Sequence, residues 1–322
     1  VSDRHPGYTK NRRYRISSRS CKNARTKNVL AAAITAASLL AVCSPVATVA
    51  AQKQSLVDKL ALFPLKSDQN RSYLKNLSPE YEEISEEVSI PGPHGNKLDG
   101  LLISKPDSKF IYLVNHGNGG NLGHLVRLAS LLASTGQSVL IYDYEGYGRS
   151  EGVAKLANLT PDGCSAFDYL VNTKNYKPEQ IILYGESIGT GPTACIMSQR
   201  QAGGVILQSG FTSLLTAGRE KLWPTRVIPG WIFREPHFDN LKAVRNPHPP
   251  LLFIHGDEDD VLSVSYSRKM FQEALEPKKY FEVKGAGHND ISRKDPDGLR
   301  EVLAKFMLDV ERSGDRALSV GP

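Results

Sequence analysis

Cysteine is scarce in this chain and excludes a zinc framework: of four residues in 322, Cys21 and Cys43 precede residue 51, leaving Cys164 and Cys195 without paired zinc spacing. Each of these two falls in a helical pattern. Buried free thiols are expected, and a disulfide between neighbouring helices stays open because sequence does not give the distance. A Gly-Lys-Ser/Thr phosphate turn and a dinucleotide fingerprint are both missing, which removes the common nucleotide-binding classes. No internal repeat is present, and no low-complexity segment follows residue 51. The length suits one large α/β domain with its own core.

Acid is nearly absent from the first fifty positions, where Asp3 stands alone against nine Lys or Arg, a net of +8. Subtracting this from the overall +6 leaves about −2 for the rest, so the basic pI of 9.0 belongs to the N-terminus and gives no nucleic-acid footprint. The basic block runs into Val29 to Ala51, which is apolar, alanine-rich and uncharged. A positive region, an apolar region and small residues near Thr48-Val49-Ala50 are the parts of an export signal, with cleavage expected after Ala50 or Ala51. An uncleaved anchor through residues 29–51 is the alternative, since the run is long enough to cross a bilayer. Lipidation at Cys43 is a third reading, poorly served by Val42 directly before it. Either way the body is expected outside the cytosol, exported to the periplasm or secreted. A membrane is a partner only if this segment is uncleaved or lipidated.

Residues 52–84 form a polar N-terminal extension, expected as a helix or two outside the core, and the domain proper is expected over 85–322. Short apolar runs at 87–90, 97–104, 110–115, 138–142, 180–184, 204–207, 250–255 and 279–283 predict strands. Helical patterns at 122–134, 161–173, 190–201, 264–275 and 296–311 fall between the later ones. This alternation implies an α/β fold with a mostly parallel central sheet flanked by helices on both faces. The first two runs, joined through Pro91-Gly92-Pro93-His94-Gly95-Asn96, predict a hairpin.

The run Ile181-Ile182-Leu183-Tyr184 ends in Gly185-Glu186-Ser187-Ile188-Gly189, a Gly-x-Ser-x-Gly turn between a predicted strand and a predicted helix. That setting lifts a serine hydroxyl above the sheet as a nucleophile. Serine needs a base to take its proton, and His288, in the glycine-rich loop after the last strand, is positioned for it. The base needs an acid to fix its tautomer; Asp259, just past the preceding strand, is preferred over Asp257 and Asp260. Three roles thus fall at three successive strand ends, in the order serine, acid, histidine. The oxyanion formed on attack needs N–H donors. The backbone N–H of Ile188 is one candidate; that of Asn118, in His116-Gly117-Asn118-Gly119-Gly120-Asn121, is the other, with His116 shaping the loop.

With these residues in place the chain resembles the α/β-hydrolase superfamily, and within it the alpha/beta-hydrolase-domain branch that includes depalmitoylase-like eukaryotic proteins and exported bacterial homologues. The resemblance covers about residues 85–310. It rests on the loop 116–121, the turn Asp143-Tyr144-Glu145-Gly146-Tyr147-Gly148-Arg149-Ser150-Glu151-Gly152, the Ser187 turn, His255-Gly256-Asp257-Glu258-Asp259 and Gly285-Ala286-Gly287-His288-Asn289-Asp290. The cysteine-rich N-terminus of the depalmitoylase members is missing, so depalmitoylation of proteins is not implied. Residues 211–246, which hold Trp223 and Trp231, predict a short cap over the serine.

The resulting expectation is a serine hydrolase that cleaves acyl esters or thioesters of small molecules through Ser187, His288 and Asp259, using no cofactor and no metal. A serine peptidase or amidase of the same fold is the nearest rival. A catalytically silent binding protein is the second, and intact Ser187 and His288 argue against it.

Overall fold

The structure, a computed structural model, describes residues 54–68, 72–221 and 236–319. The described residues belong to one compact unit, Gln52–Pro322. The export segment expected before residue 52 lies outside the described residues, as do Trp223 and Trp231 of the expected cap. Among the described residues no helix is long and apolar enough to cross a membrane.

Eight strands build the central sheet: β1 (Ser85–Pro91), β2 (Lys97–Ile103), β3 (Ile111–Asn115), β4 (Ser138–Tyr142), β5 (Ile181–Glu186), β6 (Gly204–Gln208), β7 (Leu251–Gly256) and β8 (Lys278–Val283). Their spatial order is β8-β7-β6-β5-β3-β4-β2-β1. The β1–β2 hairpin is antiparallel, β2 joins β4 antiparallel, and the rest of the sheet is parallel. Successive side chains of β3 go to opposite faces, Ile111 and Leu113 into one core and Tyr112 and Val114 into the other. Both faces are covered, which is why the inner strands read as unbroken apolar runs.

One face packs against α2 (Leu156–Asn172), α3 (Thr190–Met197) and α4 (Ser265–Glu273), through Phe167, Ile196 and Met270 among others. The other packs against α1 (Leu122–Ala133) and α5 (Pro296–Ser319), through Val126, Leu303 and Phe306. Each such fully buried side chain contributes roughly 1.5–3 kcal/mol. The α/β-hydrolase arrangement expected from the sequence is thus the one observed.

Two local expectations are corrected. α2 begins at Leu156, ahead of the expected 161, and carries Pro161 inside it. The missing proline hydrogen bond is offset by burial of Leu156 and Leu159 and by the Asp58 carboxylate, which accepts the Leu156 N–H at 2.9 Å. The extension does more than lie outside the core. After the short helix Leu56–Ala61, Phe63–Pro64 pairs in parallel with Gly119–Gly120 as a two-stranded satellite sheet. Cys164 and Cys195 form no disulfide with each other and are only partly buried. In the insertion, the ends are tied together, the Leu214 N–H donating to His237 and the Leu241 N–H to Thr212.

Candidate active site

Ser187 follows β5 at a sharp turn where its own φ is +53°, a left-handed value that costs a non-glycine residue about 1–3 kcal/mol. The flanking glycines are dictated by space. A Cβ on Gly185 would stand 2.5 Å from Thr193 Oγ1, and one on Gly189 would stand 2.0 Å from the Asn115 carbonyl oxygen. Only hydrogen atoms fit there, and so the strand, the turn and α3 can close around the Ser187 hydroxyl.

His288 comes from the loop after β8. Its Nε2 lies 2.9 Å from Ser187 Oγ and its Nδ1 lies 2.7 Å from Asp259 Oδ2. A carboxylate only accepts, so Nδ1 carries the proton and Nε2 accepts the serine hydroxyl. Ser187 and His288 are each 9 % exposed, and the Asp259 side chain is fully enclosed.

Asp259 collects four donors. Its Oδ1 accepts the N–H groups of Val261 and Leu262 at 2.9 and 2.8 Å, and its Oδ2 accepts His288 and, at 3.1 Å, His255 Nε2. Burial alone would raise its pKa. The hydrogen bonds from His255, His288 and the Leu262 N–H outweigh burial and hold the carboxyl well below the usual carboxylate range. Asp257, by contrast, accepts the Gly285 N–H at 2.6 Å and so braces the loop that carries His288.

His255 is a participant to which sequence reasoning gave no role. It sits at the end of β7, fully buried, its Nδ1 accepting from Ser267 Oγ at 2.7 Å and its Nε2–H shared between the Leu262 carbonyl at 2.9 Å and Asp259. The motif His255-Gly256-Asp257-Glu258-Asp259 contained the signal, because an i, i+4 pair across a turn brings the two side chains together. His255→Phe keeps an aromatic ring at the site and removes both nitrogens. It is expected to lower the unfolding free energy by about 1.5–3 kcal/mol, the value of a hydrogen bond to a charged group. The readout is a lower urea midpoint at unchanged slope; an unshifted midpoint would show that Asp259 does not depend on this donor.

The loop 116–121 passes directly beside the nucleophile: a Cβ on Gly117 would stand 3.7 Å from that of Ser187. His116 is buried, its Nδ1–H donating to the Gly117 carbonyl at 2.7 Å, and burial lowers its pKa to about 4, which keeps the ring neutral. Asn121 caps α1 by accepting the Gly123 N–H at 3.0 Å. Ile188 follows Ser187 in the first turn leading into α3 and is 6 % exposed. Between Gly185 and Ser187, burial raises the pKa of Glu186 while the nearby His288 pulls it down. Among the described residues no group of His, Cys, Asp and Glu could hold a metal ion.

A family model described as "Serine aminopeptidase, S33" matches residues 106–233. An uncharacterized protein of Mycobacterium tuberculosis is 31 % identical over 198 residues, covering 61 % of this chain and 69 % of its own length. Alpha/beta hydrolase domain-containing protein 17B of Homo sapiens is 32 % identical over 199 residues, covering 61 % of this chain and 67 % of its own. Among solved structures, an esterase of Pyrococcus furiosus superposes with a TM-score of 0.63 at 16 % identity, over 77 % of this chain and 98 % of that one. An alpha-beta hydrolase from Vibrio vulnificus gives 0.57 at 20 % identity, over 79 % and 88 %.

Proposed function

Because the chain belongs to the α/β-hydrolase superfamily, in its alpha/beta-hydrolase-domain branch, we propose that it is a serine hydrolase cleaving acyl esters or thioesters of small molecules. The observation that carries this reading is the continuous hydrogen-bond chain from Ser187 Oγ through His288 to Asp259. His288 takes the hydroxyl proton as Ser187 attacks the carbonyl carbon, and Asp259 stabilises the imidazolium that forms. The developing oxyanion is received by the backbone N–H groups of Asn118 and Ile188. Collapse of the tetrahedral adduct expels the leaving group with the proton from His288, leaving an acyl-enzyme. Water, deprotonated by the same imidazole, then releases the acid.

The insertion between 211 and 246 sets the range of acyl or leaving groups in this reading, and the enzyme works outside the cytosol behind its export segment or tethered by it. Purified protein is expected to release p-nitrophenol from acetate, butyrate, octanoate and palmitate esters with a maximum at one chain length, and to react with a fluorophosphonate at Ser187. Rates at the level of the uncatalysed reaction for all four, with no labelling, would sink the proposal. The aminopeptidase description of the matching family favours a second reading, amide cleavage by the same residues. Faster turnover of aminoacyl p-nitroanilides than of every ester would select it.

A further inference from the structure

The candidate oxyanion loop is rich in glycine and so has little stiffness of its own: Gly117, Gly119 and Gly120 surround Asn118. A donor that works by preorganisation cannot sit on a loose loop. Two successive carbonyls of this loop are held, the first by a side chain of the loop itself and the second from outside it. The Gly117 carbonyl accepts from the His116 ring at 2.7 Å. In a trans peptide C=O and N–H point in opposite directions, so this bond sets the direction of the Asn118 N–H. The next carbonyl, that of Asn118, accepts two donors, the Phe63 N–H at 2.8 Å and the Tyr147 Oη at 2.9 Å.

Phe63 belongs to the extension that precedes the sheet, outside the residues matched by the family model. The extension is bound along its length. Gln54 Nε2 donates to the Ala154 carbonyl at 2.6 Å, and Asp58 accepts the Leu156 N–H. The Leu65 N–H donates to the Gly120 carbonyl at 3.0 Å, and the Leu65 carbonyl accepts the Gly148 N–H at 3.0 Å and Asn121 Nδ2 at 3.1 Å. Lys66 Nζ reaches the Ser150 carbonyl at 3.1 Å. Residues 54–67 therefore fasten the loop 116–121 to the turn 143–152 and to the start of α2.

We propose that this N-terminal strap, through the Phe63 N–H, acts with Tyr147 as a positioning element of the oxyanion hole: they anchor the peptide that follows Asn118 while His116 anchors the one before it, so that Asn118 is held between two fixed peptide planes and its N–H meets the developing charge. This rests on the serine-hydrolase reading above. The strap contributes main-chain groups and touches no reacting atom.

The test is Phe63→Pro in the full chain, which deletes one N–H. Leu62 already has the extended conformation (φ −121°, ψ 128°) that a residue before proline must adopt. On the best p-nitrophenyl ester, kcat is expected to fall about tenfold, a fraction of the roughly 100- to 1,000-fold lost with a whole oxyanion donor. KM should stay within about twofold, the signature of a contact made only in the transition state. Affinity for a trifluoromethyl ketone, whose hemiketal oxyanion occupies the same place, should weaken by the same factor, and Phe63→Ala, which restores the N–H, should restore both. Tyr147→Phe removes the second donor to the same oxygen and reads the same quantity if the proline variant does not fold. Unchanged kcat in Phe63→Pro or, failing that, in Tyr147→Phe overturns the proposal, as does an equal loss in Phe63→Ala. A wild-type protein inert to every ester, amide and fluorophosphonate overturns the hydrolase reading instead.

Discussion

Ser187→Ala is expected to lower kcat for ester hydrolysis by about 100,000- to 1,000,000-fold, the scale seen when a triad nucleophile is deleted. The substitution removes one oxygen atom and leaves His288, Asp259 and the candidate oxyanion donors as they stand. The residual rate therefore measures what those groups do to a water molecule alone. Fold loss cannot account for the result, since the hydroxyl hydrogen-bonds outward to the imidazole and the core beneath is untouched. The measurement is kcat by stopped assay at high enzyme concentration, paired with fluorophosphonate labelling. Turnover within about tenfold of wild type would mean that another group attacks and would remove Ser187 from its role. Ser187→Gly should be as inactive yet more stable by about 1 kcal/mol, because glycine occupies a φ of +53° without strain.

The second large effect is expected at Asp259. Four donors converge on its two oxygens, two from the backbone of Val261 and Leu262 and two from His288 and His255. An asparagine has one acceptor oxygen and one NH2 to offer them. If the oxygen faces the backbone, the NH2 meets His288 Nδ1, which must then accept; the proton moves to Nε2, and the imidazole can no longer take the serine proton. If the oxygen faces the histidines, the Val261 and Leu262 N–H groups confront an NH2, at about 1–3 kcal/mol for a donor left unsatisfied away from water. Either way Asp259→Asn should reduce kcat by about 10,000-fold with KM little changed. Retention of a tenth or more of the wild-type rate would reassign the acid.

The sign of the pH effect follows from the same contacts. A carboxyl held below its ordinary pKa stabilises the fold above about pH 4, its unfolded value, and that stability is lost as pH falls towards the folded pKa. The wild type should therefore shed stability on acidification through a range where Asp259→Asn changes less, which urea midpoints at a series of pH values will register.

Sequence revealed the sheet because strands buried on both faces carry continuous apolar runs, and it revealed the motifs because each sits at a strand end. Ile181 to Tyr184 leading into Gly185-Glu186-Ser187 needs no tertiary information to be read. The start of α2 was misplaced because Pro161 has the propensity of a helix beginning, whereas burial of Leu156 and the Asp58 contact decided the matter from 98 residues away. The strap left no trace for a different reason. What Phe63 and Leu65 supply is backbone N–H, which every residue except proline possesses, so no pattern of side chains announces it. His255 was visible as a letter in a motif, but its partnership with Ser267 depends on how α4 docks.

Ser187 and His288 are 101 residues apart in the chain and are joined only when β5 through β8 stand side by side. During synthesis the nucleophile turn leaves the ribosome long before its base, and a polypeptide threaded in extended form through any channel carries a serine with no imidazole beside it. On the serine-hydrolase reading, hydrolytic power therefore arrives only once the last parallel strands are in place, and a cell that makes this protein meets that activity where folding is completed.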